Sequence, residues 1–105
     1  MAVVSVGTFT VKPDRFEDEL AELRKAKAVT EKCGAKNYRV LAAMVAGQQT
    51  GSLALIFEAD DFAAYGAVMD KFLNDPGGLA LLSSTNSTAG PVAGFQGTLW
   101  VDVPL

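Results

Sequence analysis

The spacing of hydrophobic and polar positions changes several times along the chain, and each change marks a junction between elements. Residues Val3–Val11, VVSVGTFTV, alternate with a period of two, which predicts a strand. Lys12-Pro13-Asp14 interrupts it. From Asp14 the period lengthens: Phe16, Leu20, Leu23 and Ala26 recur at helical spacing, while Glu17, Asp18, Glu22, Arg24 and Lys25 take the other faces. Asp14 and Glu17 have capping-box spacing, acids early and lysines late complement the helix dipole, and Gly34 is the expected end. Residues 37–46, NYRVLAAMVA, read as a second strand and residues 47–51 as a short polar connection with a glycine at each end. Residues 52–59 then form a third strand, paired with the second as a hairpin. Its continuous apolar run, LALIF, suits a strand covered on both faces. Asp60 or Asp61 caps a second helix, with Phe62, Tyr65, Gly66, Met69, Phe72 and Leu73 on one stripe. The stretch NDPGG ends that helix, residues 79–82 add a helical turn, and residues 83–90 read as a loop of small polar residues. Residues 92–103 close the chain as a long fourth strand, with Gly94 and Gly97 as bulge or close-approach points.

The resulting order, β-α-β-β-α-β, is the ferredoxin-like α+β arrangement: a four-stranded antiparallel sheet with two helices on one face, in a single domain spanning residues 1–105. The first and third strands, which carry the most uniformly apolar runs, are expected at its centre. In the first strand Val4, Val6, Thr8 and Thr10 point one way and Val3, Ser5, Gly7, Phe9 and Val11 the other, and neither set carries a charge. Helices on one side leave the second face to be covered by something else, and a second copy of the sheet satisfies it.

Composition narrows the function. A formal charge of -3, with acidic and basic residues interspersed, gives no cationic face for nucleic acid. No apolar run approaches the roughly 20 residues that cross a bilayer, so no membrane partner is expected. The opening MAVVSVGTF has no basic n-region and no cleavage pattern, which fits a chain that is not exported. Cys33 is the single cysteine, so no internal disulfide forms and a reducing cytoplasm is the expected location. The chain has no histidine, which removes imidazole-ligated haem, Ser-His-Asp catalysis and histidine zinc sites.

On its element order, and on the stretches FTVKPDRFEDEL, VAGQQTGSLALIFEADD and AAYGAVMDKFLNDP, the chain resembles the dimeric α/β-barrel superfamily. The likeness is to its NIPSNAP-like and antibiotic-biosynthesis-monooxygenase-like small proteins in particular, and covers nearly the whole chain. It implies the fold and a homodimer joined through the sheet face. Members of the superfamily include cofactor-free monooxygenases, isomerases, haem-binding enzymes and proteins with no assigned activity, and without histidine the haem chemistry does not carry over.

Four residues are candidates for a ligand site. Arg39, a guanidinium on an apolar strand, suits a ligand carboxylate or enolate, or else a salt bridge to Glu58 across the hairpin. Tyr38 with Trp100 suits a ring wall beside a planar ligand, or else the tryptophan belongs to the core or to an interface. Tyr65 sits in the second helix's apolar stripe, where its hydroxyl suits orienting a ligand, or else the ring packs with its hydroxyl reaching water or a carbonyl. Lys27 reads as snorkelling to solvent and Cys33 as inert packing, while Asp60 with Asp61 reads as capping rather than cation binding. With no complete acid-base pair, the sequence favours a homodimer binding a small, partly apolar molecule between sheet and helices. A cofactor-independent monooxygenase or isomerase and a non-enzymatic interaction dimer are the alternatives. No cofactor and no metal is expected: metal analysis and visible absorbance of the purified protein should both be blank, and stoichiometric iron, zinc or haem would contradict the reading of the missing histidines.

Overall fold

A computed structural model describes residues 2–44, 47 and 51–105. The strands are β1 (Val3–Val11), β2 (Lys36–Ala42), β3 (Leu53–Ala59) and β4 (Val92–Val101), and the helices α1 (Phe16–Lys32), α2 (Phe62–Leu73) and α3 (Pro76–Asn86). The sheet order is β2-β3-β1-β4 with every neighbouring pair antiparallel, so the two most apolar strands are indeed central. The second strand, expected over residues 37–46, ends at Ala42, and Ala43 and Met44 follow it outside the strand. Residues 45 and 46 and most of the connection to the third strand lie outside the described residues, and the Ala43 N–H donates to the Ser52 carbonyl at 2.9 Å.

The start of α1 differs from the capping-box expectation. Arg15 N–H donates to the Lys12 carbonyl at 3.1 Å, closing a turn with Pro13 at its second position and Asp14 at its third, where φ is 63°. Proline followed by a left-handed residue is type II turn chemistry. Asp14 is spent on that turn, and Arg15 occupies the N-cap with no side-chain cap bond. Glu17, Asp18 and Glu19 in the first turn still complement the helix dipole. The other end is as expected. Gly34, at φ 107°, follows the C-cap, and the Gly34 and Ala35 N–H groups donate to the Glu31 and Thr30 carbonyls, a Schellman closure.

The largest correction is α3. NDPGG ends α2, but the same residues start another helix of eleven residues, in place of the single turn and polar loop expected over residues 79–90. Asp75 is its N-cap, accepting from the Gly77 and Gly78 N–H groups, and Pro76 takes the first helical position, where its missing N–H costs nothing. The small polar residues near its end fit a helix because Thr85 Oγ1 and Asn86 Nδ2 donate to the Leu81 and Leu82 carbonyls one turn back. Lys32 at the end of α1 pairs with Asp75, tying the two helices together. In α2, Asp61 is the N-cap, its side chain accepting from Ala64 N–H at 2.7 Å. Its buried face is centred on Val68, flanked by Tyr65, Met69 and Phe72, whereas Phe62 and Leu73, expected on the stripe, are exposed. The last strand ends at Val101 rather than Val103.

Register fixes the two faces of the sheet. Ser5, Gly7 and Phe9 pair with Phe57, Leu55 and Leu53 on one side and with Leu99, Gly97 and Phe95 on the other, so these residues share the helix-covered face. Two apolar clusters form there, one around Ala26, Cys33, Tyr38, Phe57 and Val68 and one around Phe9, Leu23, Leu53 and Val92. The opposite face carries Val4, Val6, Thr8, Ala54, Ile56 and Leu41, with Arg39 towards one edge and Trp100 at the other. Among the described residues, no helix is long and apolar enough to cross a membrane.

The α2–α3 junction depends on Gly78, because a methyl group there would run into the Phe72 carbonyl oxygen. Gly78→Ala should therefore lower stability by about 1–3 kcal/mol in denaturant titration. Gly66→Ala, in open space on the exposed side of α2, should raise stability by about 0.5–1 kcal/mol. Equal effects at the two positions would remove the packing account of this junction.

Candidate functional site

Small residues on the helix face of β1 and β4 leave room beneath the helices. Where β3 presents Leu55 and Phe57, β1 presents Gly7 and Ser5, and β4 adds Gly97 opposite Gly7. No side chain from these three positions reaches far towards α1, α2 and α3, and a cavity of about 480 Å³ opens between sheet and helices. Its walls are Phe9, Leu23, Leu55, Phe57, Val68 and Phe72. Phe9 and Phe95 pack at one end with ring centroids 5.0 Å apart. Towards the β4 edge the cavity is bordered by Phe95, Leu99 and Leu82, all three exposed, which form an apolar mouth.

One titratable side chain in this largely apolar setting keeps an oxygen with no partner among the described residues. Glu19 is only 2% exposed, lines the cavity, and its Oε2 has no hydrogen-bond partner among the described residues. Helical geometry puts it there: Glu19, Leu23, Ala26 and Thr30 are the buried stripe of α1. Loss of solvent, with the nearby Glu22 charge adding to it, pushes its carboxyl up to about 7. Glu22 also borders the cavity, and no lysine or arginine does so among the described residues.

The four sequence candidates separate. Tyr38 lies on the helix face of β2, buried, with its hydroxyl donating to the Leu23 carbonyl at 3.0 Å. Burial, and then the Glu19 and Glu31 charges, raise its phenol above the ordinary value, so it stays neutral. Tyr65 borders the cavity and stacks on Phe57, centroids 6.0 Å apart and planes within 5°. Arg39 is on the opposite face, where its Nη1 stands 3.7 Å from Glu58 Oε2, the cross-hairpin pairing weighed from sequence. Asn37, left-handed at φ 52° where the β2 register shifts, donates to the same carboxylate at 3.1 Å. Trp100 is exposed on that face too, its Nε1 donating to Thr98 Oγ1 at 2.8 Å. Tyr38 and Trp100 therefore occupy opposite faces and opposite edge strands, and they form no common wall. Lys27 is exposed and pairs with Glu31 at 3.0 Å, and Cys33 is buried. No metal-binding cluster of three or more histidine, cysteine or acidic side chains exists among the described residues.

Glu19 is the residue that the sequence reading missed. The stripe through Phe16, Leu20, Leu23 and Ala26 follows one flank of the buried arc, whereas Phe16 is itself exposed and the centre of the arc runs through position 19. The signal was present as an acid four residues before Leu23 and seven before Ala26, in register with the core.

By sequence alone, no protein family and no curated protein matches the chain. By structure the likenesses are strong. A NIPSNAP family protein from Agrobacterium tumefaciens superposes with a TM-score of 0.77 at 8% identity, over 97% of this chain and 86% of that one. An uncharacterized NIPSNAP domain protein from Burkholderia xenovorans gives 0.77 at 14% identity, over 96% and 94% of the two chains. A protein from Mycobacterium tuberculosis gives 0.70 at 15% identity, over 100% and 98%. Identities this low speak for the fold alone, and together with the sheet order and the helix-covered face they make the chain a ferredoxin-like α+β protein of the NIPSNAP-like fold.

Proposed function

We propose that this protein binds a small, largely apolar molecule in the cavity between its sheet and helices, and that it does so as a homodimer joined through the open face of the sheet. The observation that carries the binding reading is Glu19. A buried carboxyl with an unsatisfied oxygen costs free energy, and a Leu or Met at this stripe position would serve the fold better. Retaining the acid there makes sense if a molecule entering the cavity supplies its missing partner. Tyr65, the one other titratable side chain in the wall besides Glu22, offers a hydroxyl at the α2 side. The dimer reading rests on the open face, where Val4, Val6, Ala54, Ile56 and Leu41 form an apolar field edged by the Arg39–Glu58 pair and by Trp100.

Native mass spectrometry of freshly purified protein tests both parts, since a retained molecule adds mass to a species of twice the 11.0 kDa chain. On the open face, Val6→Asp should convert the dimer to a monomer in light scattering after size exclusion. A wild-type protein that runs as a folded monomer at low micromolar concentration would refute the assembly.

Glu19 also makes a prediction about pH. Its folded value, about 7, lies above the ordinary 4.5, so the folded state holds its proton more tightly than the unfolded state. This group's contribution is therefore most favourable at low pH, declines as pH rises between those two values, and is constant above them. The full shift corresponds to roughly 3 kcal/mol, which water in an open cavity screens to about 1–2 kcal/mol. Glu19→Gln should match wild type near pH 4 and exceed it by that amount near pH 8, in denaturant unfolding at equal protein concentration. A difference that does not change with pH would mean that the carboxyl is not desolvated in the folded protein.

A further inference from the structure

The charge balance of the cavity wall narrows the class of molecule that the proposed pocket accepts. Its charged side chains, Glu19 and Glu22, are both acidic, and no lysine or arginine borders it among the described residues. Anionic molecules would meet two carboxyl groups; the Lys25 ammonium 3.6 Å from Glu22 Oε1 is exposed and does not border the space. The rest of the wall is uncharged, mostly apolar and rich in rings, with Phe9, Phe57, Tyr65, Phe72 and Phe95 all bordering the space. Aromatic faces carry negative potential and attract cations, most strongly away from water. A buried carboxylate within such a wall has one natural complement. We infer that the cavity selects an apolar amine, seated with its ammonium group hydrogen-bonded to Glu19 Oε2 and its hydrocarbon body against the phenylalanines that run towards the mouth. This inference rests on the pocket reading proposed above and specifies its ligand class.

The pieces fit in charge and geometry. Glu19 Oε2 is the unsatisfied acceptor, and an ammonium group is a pure donor with no lone pair to be left unmatched. The Tyr38 phenol near Glu19 is neutral and its proton is committed to the Leu23 carbonyl, so it does not compete for the carboxylate. Of the groups around Glu19, Glu22 on α1 adds to the negative potential, and Tyr38 on β2 and Tyr65 on α2 are phenols. The other polar groups bordering the space among the described residues are uncharged: Thr30 from α1, Thr85 and Asn86 from α3, Ser5 from β1 and Thr98 from β4. Binding a cation stabilises the ionised form of Glu19, so the carboxyl proton leaves to solvent as the amine arrives.

Three probes of one shape and different charge test this: naphthylmethylamine, naphthylmethanol and naphthoate, titrated into the full-length protein by calorimetry near pH 8, where Glu19 is ionised. The expected order is amine first, the alcohol weaker by about tenfold or more, and the carboxylate weakest. Glu19→Gln should erase the preference of amine over alcohol while changing alcohol affinity only a few-fold. In wild type near pH 6, titration in buffers of different ionisation heat should show proton release with the amine and none with the alcohol. Carboxylate binding as tight as amine binding, an unchanged preference in Glu19→Gln, or the absence of proton release would each overturn the amine assignment while leaving a pocket in place. If none of the three probes binds, the pocket reading falls as well, and the amine assignment with it.

Discussion

Strands β1 and β3 are apolar on both faces, and most of the architecture follows from the need to cover them. A strand with alternating polarity can lie at the surface with one side wet, but VVSVGTFTV and LALIFEA offer water no charged face along most of their length. Placing them at the centre of the sheet removes their edges from solvent, and laying α1, α2 and α3 across one side buries Val3, Phe9, Leu53 and Phe57. The same requirement acts on the opposite side, where the described residues supply no further element. The open face is thus a consequence of strand composition, and the salt bridge from Arg39 to Glu58 lies on the β2 side of the apolar field.

Within the covered side, the cavity exists because side-chain volume is unevenly distributed across the strands. Close packing fills a protein interior unless something holds the walls apart. Here Gly7, Ser5 and Gly97 withdraw volume from β1 and β4, part of which the Phe95 ring takes up over the two glycines, while the helices are held off by contacts made elsewhere. Tyr38 bonds to α1 through the Leu23 carbonyl, Tyr65 stacks on Phe57 beneath α2, and Lys32 bridges α1 to the cap of α3. These contacts brace the helices around the space, so it does not simply collapse onto the small residues. The junction of α2 with α3 matters for the same reason, since α3 supplies Leu81, Leu82 and Thr85 to the far wall.

How far the sequence disclosed this depends on whether each signal was local. Strand period, the apolar run of β3, Gly34 as a helix stop and Asp61 as a cap are all decided within a few residues, and the fold follows from their order. Two signals misled because one motif has two uses. Pro13-Asp14 can open a helix or close a turn, and the turn took Asp14 away from capping. Asp75-Pro76 ends one helix and caps the next, and the glycines after it read as a break until the tight contact with Phe72 shows why a glycine is needed. The pairing of Tyr38 with Trp100 failed on a matter of parity, because their faces are set by register across four strands. Glu19 was missed because apolar periodicity finds hydrophobic residues and passes over an acid in the same column.

A carboxyl group in a core column is informative because the fold gains nothing evident from it. Among the described residues Glu19 accepts no N–H at a helix cap, pairs with no lysine or arginine, and leaves one oxygen without a partner. Its neighbour Glu22 makes ionisation harder, where a lysine at the same position would have relieved it. Each of these costs falls if a cation occupies the space in front of Glu19, and each persists if the space holds only hydrocarbon or an anion. The polarity of the wall, rather than its size, is therefore what distinguishes this cavity from an ordinary packing defect beneath helices, and it is the feature on which the proposed recognition of a cation rests.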